Sequence, residues 1–226
     1  MPDNRHVSVR IAAGDAILDG DLTVPDGARG TVIFAHGSGS SRLSPRNRYV
    51  AQVLQEAGLA TLLMDLLTPT EERVDARSAA LRFDIGFLSR RLVQATRWVL
   101  QQEQTRQLPV GYFGASTGAA AALVAAAELP GFISAVVSRG GRPDLAGQAL
   151  RMVVAPTLLI VGGNDLQVLE LNRSAMQLLR GPKELVVVPG ASHLFEEPGA
   201  LEKVAQLARD WFVRYLDRSR DDVEAA

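Results

Sequence analysis

Two runs of partly alternating apolar and polar residues open the chain, residues 6–12 and 16–24, with the turn signal Gly14-Asp15 between them, and predict an antiparallel hairpin. The next run, Thr31-Val32-Ile33-Phe34-Ala35, is continuously apolar and predicts a parallel strand covered on both faces. After Pro45, the spacing of Val50, Val53, Leu54 and Ala57 predicts a helix stopped by Gly58, followed by a strand over 59–64. Residues 66–75 read as a loop. Leu81, Ile85, Leu88, Leu92, Ala95 and Val99 then form one long apolar stripe, as on a helix facing a sheet. The same alternation continues with strands at 109–113, 132–137, 157–161 and 184–188. Between and after them lie helices at 119–128 and 144–152, one carrying Leu171 and Ala175, and one spanning 201–215. The charged tail after 216 reads as disordered.

Regular strand–helix alternation implies an α/β fold, a mostly parallel doubly wound sheet with the hairpin at one edge. Only residues 138–156 separate the strand at 132–137 from the next, too few for a separate cap domain, so the expected site is a shallow cleft roofed by residues 66–75 and 139–144. One domain over 1–226 is expected for a chain of this length with 47% hydrophobic and 22% charged residues. A formal net charge of −1 gives no basic surface for nucleic acid or membrane, and zero cysteines exclude a disulfide framework, a thiolate metal site and a cysteine nucleophile. The N-terminal residues lack the apolar core of a secretory signal and no run reaches spanning length, which points to the cytoplasm.

In such sheets ligands bind beyond the carboxyl ends of the strands. Three chemically suggestive segments end strands here: His36-Gly37-Ser38-Gly39, Gly114-Ala115-Ser116-Thr117-Gly118 and Gly162-Gly163-Asn164-Asp165. The second reads as a strained strand-to-helix turn that lifts Ser116 off the sheet, with glycines two positions on either side where a Cβ would collide. A serine nucleophile requires an imidazole base and a carboxylate to orient it. Of the three histidines, His6 lies in an edge strand and His36 suits a loop brace, which leaves His193, in the loop before the last helix, as the base. Asp165 is the first candidate for the carboxylate and also a candidate helix cap; Asp144 is the second, and Asp65 reads as structural. Oxyanion donors would be the Thr117 amide, at a helix start, and the Ser38 amide, with Gly39 as its alternative. The glycine-rich loop lacks the pattern of a nucleotide cradle. Arg42, Arg48, Arg82 and Arg139 are candidates to reach the rim and pair with a substrate carboxylate, with Arg139 the candidate substrate contact.

These four motifs, Gly114-Ala115-Ser116-Thr117-Gly118, His36-Gly37-Ser38-Gly39-Ser40, Gly163-Asn164-Asp165 and Ala191-Ser192-His193, resemble those of α/β-hydrolases over roughly residues 7–216. The compact layout is similar to that of the dienelactone-hydrolase-related group. Dienelactone hydrolases proper use a cysteine nucleophile, so serine at this position argues against dienelactone as the substrate. The resemblance implies a serine hydrolase acting on a small carboxylic ester, with no metal or organic cofactor. Two alternatives stay open: an acyltransferase or perhydrolase using the same residues, and a ligand-binding protein with negligible turnover.

Overall fold

The computed structural model describes residues 5–217. Eight strands form one sheet: β1 (Arg5–Ala13), β2 (Ala16–Val24), β3 (Thr31–Ala35), β4 (Ala60–Met64), β5 (Val110–Ala115), β6 (Ile133–Arg139), β7 (Thr157–Gly162) and β8 (Lys183–Val188). Their spatial order is β1-β2-β4-β3-β5-β6-β7-β8. The β1–β2 and β2–β4 pairs are antiparallel, and all pairs from β4 to β8 are parallel. The expected α/β sheet with an N-terminal hairpin is therefore the observed one.

The described residues form six α-helices, α1 (Pro45–Glu56), α2 (Pro69–Ser78), α3 (Ile85–Val99), α4 (Thr117–Glu128), α5 (Leu166–Met176) and α6 (Ala200–Leu216), of which all but α2 pack on the sheet. On one face, Val50 and Leu54 of α1 and Val204, Ala208 and Phe212 of α6 pack on Val32, Phe34 and Phe113. On the other, α3 and α4 bury Leu88, Leu92, Leu123 and a row of alanines against Ile33, Tyr112 and Val136. Ten of the twelve residues of α4 are buried, which the small Ala side chains permit, and this lets the helix lie close to β5. At the second residue of β5, Gly111 makes room for α6: a Cβ there would stand 2.7 Å from the Phe212 ring.

Several expectations need correction. The segment expected as a loop at 66–75 contains α2, opened by a capping box in which Thr68 and Glu71 satisfy each other's backbone N–H groups, with Pro69 in the first turn. The single helix expected from Leu81 is a short 3₁₀ turn, Leu81–Phe83, followed by α3, whose start is capped by Asp84 accepting from Phe87 N–H. The helix expected at 144–152 is a 3₁₀ segment, Pro143–Met152, broken at Gly147 by a φ of 54°. Arg139, expected in a loop, is the last residue of β6. Asp217, at the edge of the expected tail, is buried and ion-paired with Arg29 at 2.7 Å; the remainder of that tail, 218–226, lies outside the described residues.

Candidate active site

β5 lies inside the sheet, flanked by β3 and β6, and ends in the turn that carries Ser116. Ser116 adopts φ 51° and ψ −121°, a left-handed conformation that an L-residue occupies only when its surroundings impose it. The surroundings here are two glycines. A Cβ on Gly114 would stand 2.8 Å from Ala119 N, and one on Gly118 would stand 2.7 Å from the Ala35 carbonyl carbon and closer still to the Ala35 and His36 oxygens. β5, α4 and the end of β3 thus meet at backbone distance. The turn is held on its other side by Ser116 N–H donating to Arg139 O at 3.3 Å and Arg142 N–H donating to Ser116 O at 3.1 Å.

The residues following β7 and β8 are laced together in the same manner. Asn164 N–H donates to Ala191 O, and the Asn164 side chain donates to Gly190 O at 2.8 Å. A Cβ on Gly162 would stand 2.9 Å from the Ala191 carbonyl carbon, so glycine is required where the His193 loop crosses. This lacing sets Asp165 against His193, with Nδ1 to Oδ2 at 2.7 Å. The carboxylate is an acceptor, so it holds the proton on Nδ1 and leaves Nε2 with a free lone pair. Asp165 occupies the cap position of α5 but makes no capping hydrogen bond, since its side chain is turned to the histidine. Asp144 is instead clasped by Arg142 through two hydrogen bonds of 2.9 and 2.7 Å. Ser116 and His193 line one small cavity of about 200 Å³ with Gly37, Ser38, Arg46, Arg139 and Leu194.

His36 is placed as a loop brace. Its Nε2 accepts from Leu66 N–H at 3.0 Å, and its Nδ1–H donates to Gly37 O. Burial pushes its pKa below the ordinary histidine value, so the ring is neutral. His6 sits on β1 at the sheet edge, against Thr23. Thr117 N–H belongs to the first turn of α4, among the amides that a helix leaves without an intrahelical acceptor. The Ser38 amide is engaged with Thr117 Oγ1 at 3.1 Å, and the Ser38 hydroxyl contacts the same atom at 2.9 Å. Beyond this loop a larger groove of about 760 Å³ is lined by residues of α1, α2 and the loops beside them, with Leu43, Leu66, Leu67, Leu88 and Leu194 alternating with charged groups such as Glu72, Asp75 and Arg82. α2 contributes Glu72 and Asp75 to its wall, as the expected roof over 66–75 would.

The candidate arginines separate clearly. Arg42 is paired with Asp65, Arg48 lies 3.7 Å from Asp21, and Arg82 is paired with Asp75 at 2.5 Å. Arg139 is different. It is only 7% exposed, and its guanidinium forms no hydrogen bond or ion pair among the described residues. Its nearest aromatic contact is the Phe195 ring, 6.0 Å away. Burial, and secondarily the neighbouring Arg46, push its pKa down to about 10, which leaves it cationic at neutral pH. Arg46 also lines the 200 Å³ cavity, and nothing in its sequence neighbourhood distinguishes it from a surface arginine on a helix start.

A crystal structure of dienelactone hydrolase from Anabaena variabilis superposes with a TM-score of 0.93 at 62% identity, over 94% of this chain and 99% of that one. The chain belongs to the dienelactone-hydrolase group of α/β-hydrolases. More distant structures share the fold: Est1E from Butyrivibrio proteoclasticus at TM-score 0.77 and 15% identity, covering 92% of this chain and 98% of its own, and a dienelactone hydrolase-like promiscuous phosphotriesterase from metagenomic libraries at TM-score 0.77 and 16% identity, covering 94% and 98%. A Mycobacterium tuberculosis protein named "Putative phosphoribosyl transferase" is 61% identical over 215 residues; these are 95% of this chain and 48% of that protein, so the chain spans about half the length of the curated relative it matches. No family model matches the chain. Among the described residues no helix is long and apolar enough to cross a membrane.

Proposed function

We propose that this hydrolase cleaves a small carboxylic ester through a covalent acyl-enzyme. Ser116 Oγ attacks the carbonyl carbon while His193 Nε2 takes the hydroxyl proton. The tetrahedral oxyanion accepts from Thr117 N–H and from Ser38 N–H, the latter exchanging Thr117 Oγ1 for the new charge. Collapse breaks the ester bond, and His193 returns the proton to the departing alcohol. Water then repeats the sequence on the acyl-Ser116 bond, releasing the acid. Asp165 keeps the proton on Nδ1 and balances the imidazolium formed in each half.

The observation that carries this reading is the 2.7 Å Asp165–His193 contact beside a serine held at positive φ in the same cavity. Ser116 and His193 do not hydrogen-bond directly here, a looseness common before substrate binds. Est1E and the Anabaena protein, as hydrolase-fold neighbours, support a hydrolytic reaction on a small molecule. The transferase name of the mycobacterial relative describes a protein of which this chain matches only 48% and is not carried over. The test is covalent labelling with a fluorophosphonate read by intact mass. One adduct mapping to Ser116 and lost in Ser116→Ala is expected. No adduct, or one on Ser38, Ser40 or Ser192, overturns the assignment.

A further inference from the structure

Burying a cation without a partner costs several kcal/mol, so folded proteins pair such groups or present them to a ligand. Arg139 is buried, cationic and unpaired, and it lines the cavity that holds Ser116 and His193. A second cation is held nearby: Arg46, whose Nε is likewise buried without a partner and whose charge acts on Arg139. Among the described residues, the carboxylate ion-paired with Arg46 is Glu196, 3.2 Å from Nη1 and 62% exposed. An ion pair that open to water is weak and readily exchanged.

The rest of the cavity wall is also made of donors. Ser40 and Ser44, the N-cap of α1, bring hydroxyls to the same cavity, whereas the Ser38 hydroxyl is engaged with Thr117 Oγ1 and Arg82 O. Two guanidinium groups with the Ser40 and Ser44 hydroxyls beside them suit a tetrahedral dianion with several acceptor oxygens. A carboxylate, with one charge and two oxygens, would compensate Arg139 and leave Arg46 to its exposed contact with Glu196, whereas a dianion can engage both guanidinium groups. His193 lines the same cavity and is the group that would protonate the departing alkoxide, which places the alcohol half of an ester on this side. The larger groove beyond the oxyanion loop, where five leucines stand among polar residues such as Glu72 and Arg82, is left for the acyl half.

We propose that the alcohol half of the substrate carries a phosphate monoester seated between Arg139 and Arg46, so that the protein hydrolyses small acyl esters of phosphorylated alcohols. This rests on the serine-hydrolase reading for its chemistry, but the phosphate subsite has a readout of its own.

The experiment compares three acetate esters on the wild-type protein by acetate release: 2-acetoxyethyl phosphate, 3-acetoxypropanoate and neutral 2-methoxyethyl acetate. The phosphate ester should exceed the carboxylate ester in kcat/KM by about tenfold or more, and the neutral ester by more than that. Millimolar inorganic phosphate should inhibit competitively and broaden its own ³¹P resonance in the presence of the protein. The phosphate-to-neutral ratio should fall at least tenfold in Arg139→Gln and by a smaller factor in Arg46→Gln, while Arg209→Gln, on the exposed face of α6, leaves it unchanged. Should Arg139→Gln not fold, the Arg46→Gln ratio and the wild-type phosphate titration decide. Equal rates on phosphate and neutral esters, or a ratio untouched in Arg46→Gln, overturn the proposal, as does a carboxylate ester matching the phosphate ester. If no ester is cleaved and fluorophosphonate leaves no adduct, the hydrolase reading fails, and ³¹P broadening lost in Arg46→Gln alone reports whether the phosphate subsite stands.

Discussion

Gly118→Ala should damage stability and rate together. The added Cβ would stand 2.7 Å from the Ala35 carbonyl carbon and closer to the Ala35 and His36 oxygens, whereas real Cβ contacts essentially never fall below 3.0 Å. Those partners are backbone at the end of β3, so no side-chain rotation relieves the clash, and α4 must back away from the sheet. Overpacking of this kind costs about 1–3 kcal/mol, and the upper end applies because α4 is wedged between β5 and α3. The motion is also the wrong one for chemistry. It carries Ser116 and Thr117 away from Gly37 and Ser38, and a misplacement of about 1 Å lowers turnover roughly 10²-fold. Urea unfolding gives the stability, and p-nitrophenyl acetate gives kcat. Gly131→Ala is the comparison: φ is +84° there but a Cβ meets nothing within 4 Å, so the cost is the left-handed strain alone, about 1–2 kcal/mol, with kcat unchanged. If Gly118→Ala loses under 1 kcal/mol and keeps kcat within threefold, the close approach of α4 to β3 does not position the nucleophile.

Asp165→Asn should lower kcat by about 10⁴ through the wrong imidazole tautomer, while Asp144→Asn, which loosens only the Arg142 clasp, stays within a few-fold; the reverse pattern would move the carboxylate role to Asp144. His36 has a folded pKa held below 6.5 by burial, so on acidification the unfolded chain takes up a proton that the native chain does not. Its contribution to stability is present above pH 6.5 and falls away below it, and in His36→Gln the loss of unfolding free energy between pH 7 and 5, from urea titrations, should be smaller; an equal loss would show that His36 titrates normally. In a p-nitrophenyl ester series, kcat/KM should rise from acetate to hexanoate by up to about fourfold per methylene, the equivalent of about 0.8 kcal/mol, as the chain enters the leucine groove. A flat or falling series would mean that the groove does not hold the acyl half.

Much of this arrangement is legible in the chain because local chemistry and tertiary role coincide. Residues 31–35 are apolar at every position and form β3 with those same bounds, and Gly114 and Gly118 are required by steric contacts that any Cβ would violate. Where burial is slight, the pattern fails. α2 buries only Asp75, so no apolar stripe marks it, although Thr68, Pro69 and Glu71 spell out its start. Arg139 reads as the beginning of a loop because a charge usually ends a buried strand; its pairing with Ala115 of β5 on one side and Ile160 of β7 on the other shows that it continues β6. Asp165 has the sequence context of a helix cap and occupies the cap position, yet its side chain serves His193, a choice made by a partner 28 residues away. The insertion of β4 between β2 and β3 leaves no mark on periodicity, which records faces and not neighbours.

The ring of Phe212 over Gly111 also bears on the order in which the molecule is made. β5 contributes the serine turn, but the cover over Gly111 near its start comes from the last helix described, and His193 arrives from a loop after the final strand. Contacts that span so much of the chain close slowly, because the intervening entropy is lost before they form. During synthesis, the central strand must therefore wait with one face exposed for roughly 100 residues, 5–20 s at ordinary elongation rates. Ser116 and His193, drawn from the two ends of this interval, come to line one cavity only once β8 and the loop after it are in place.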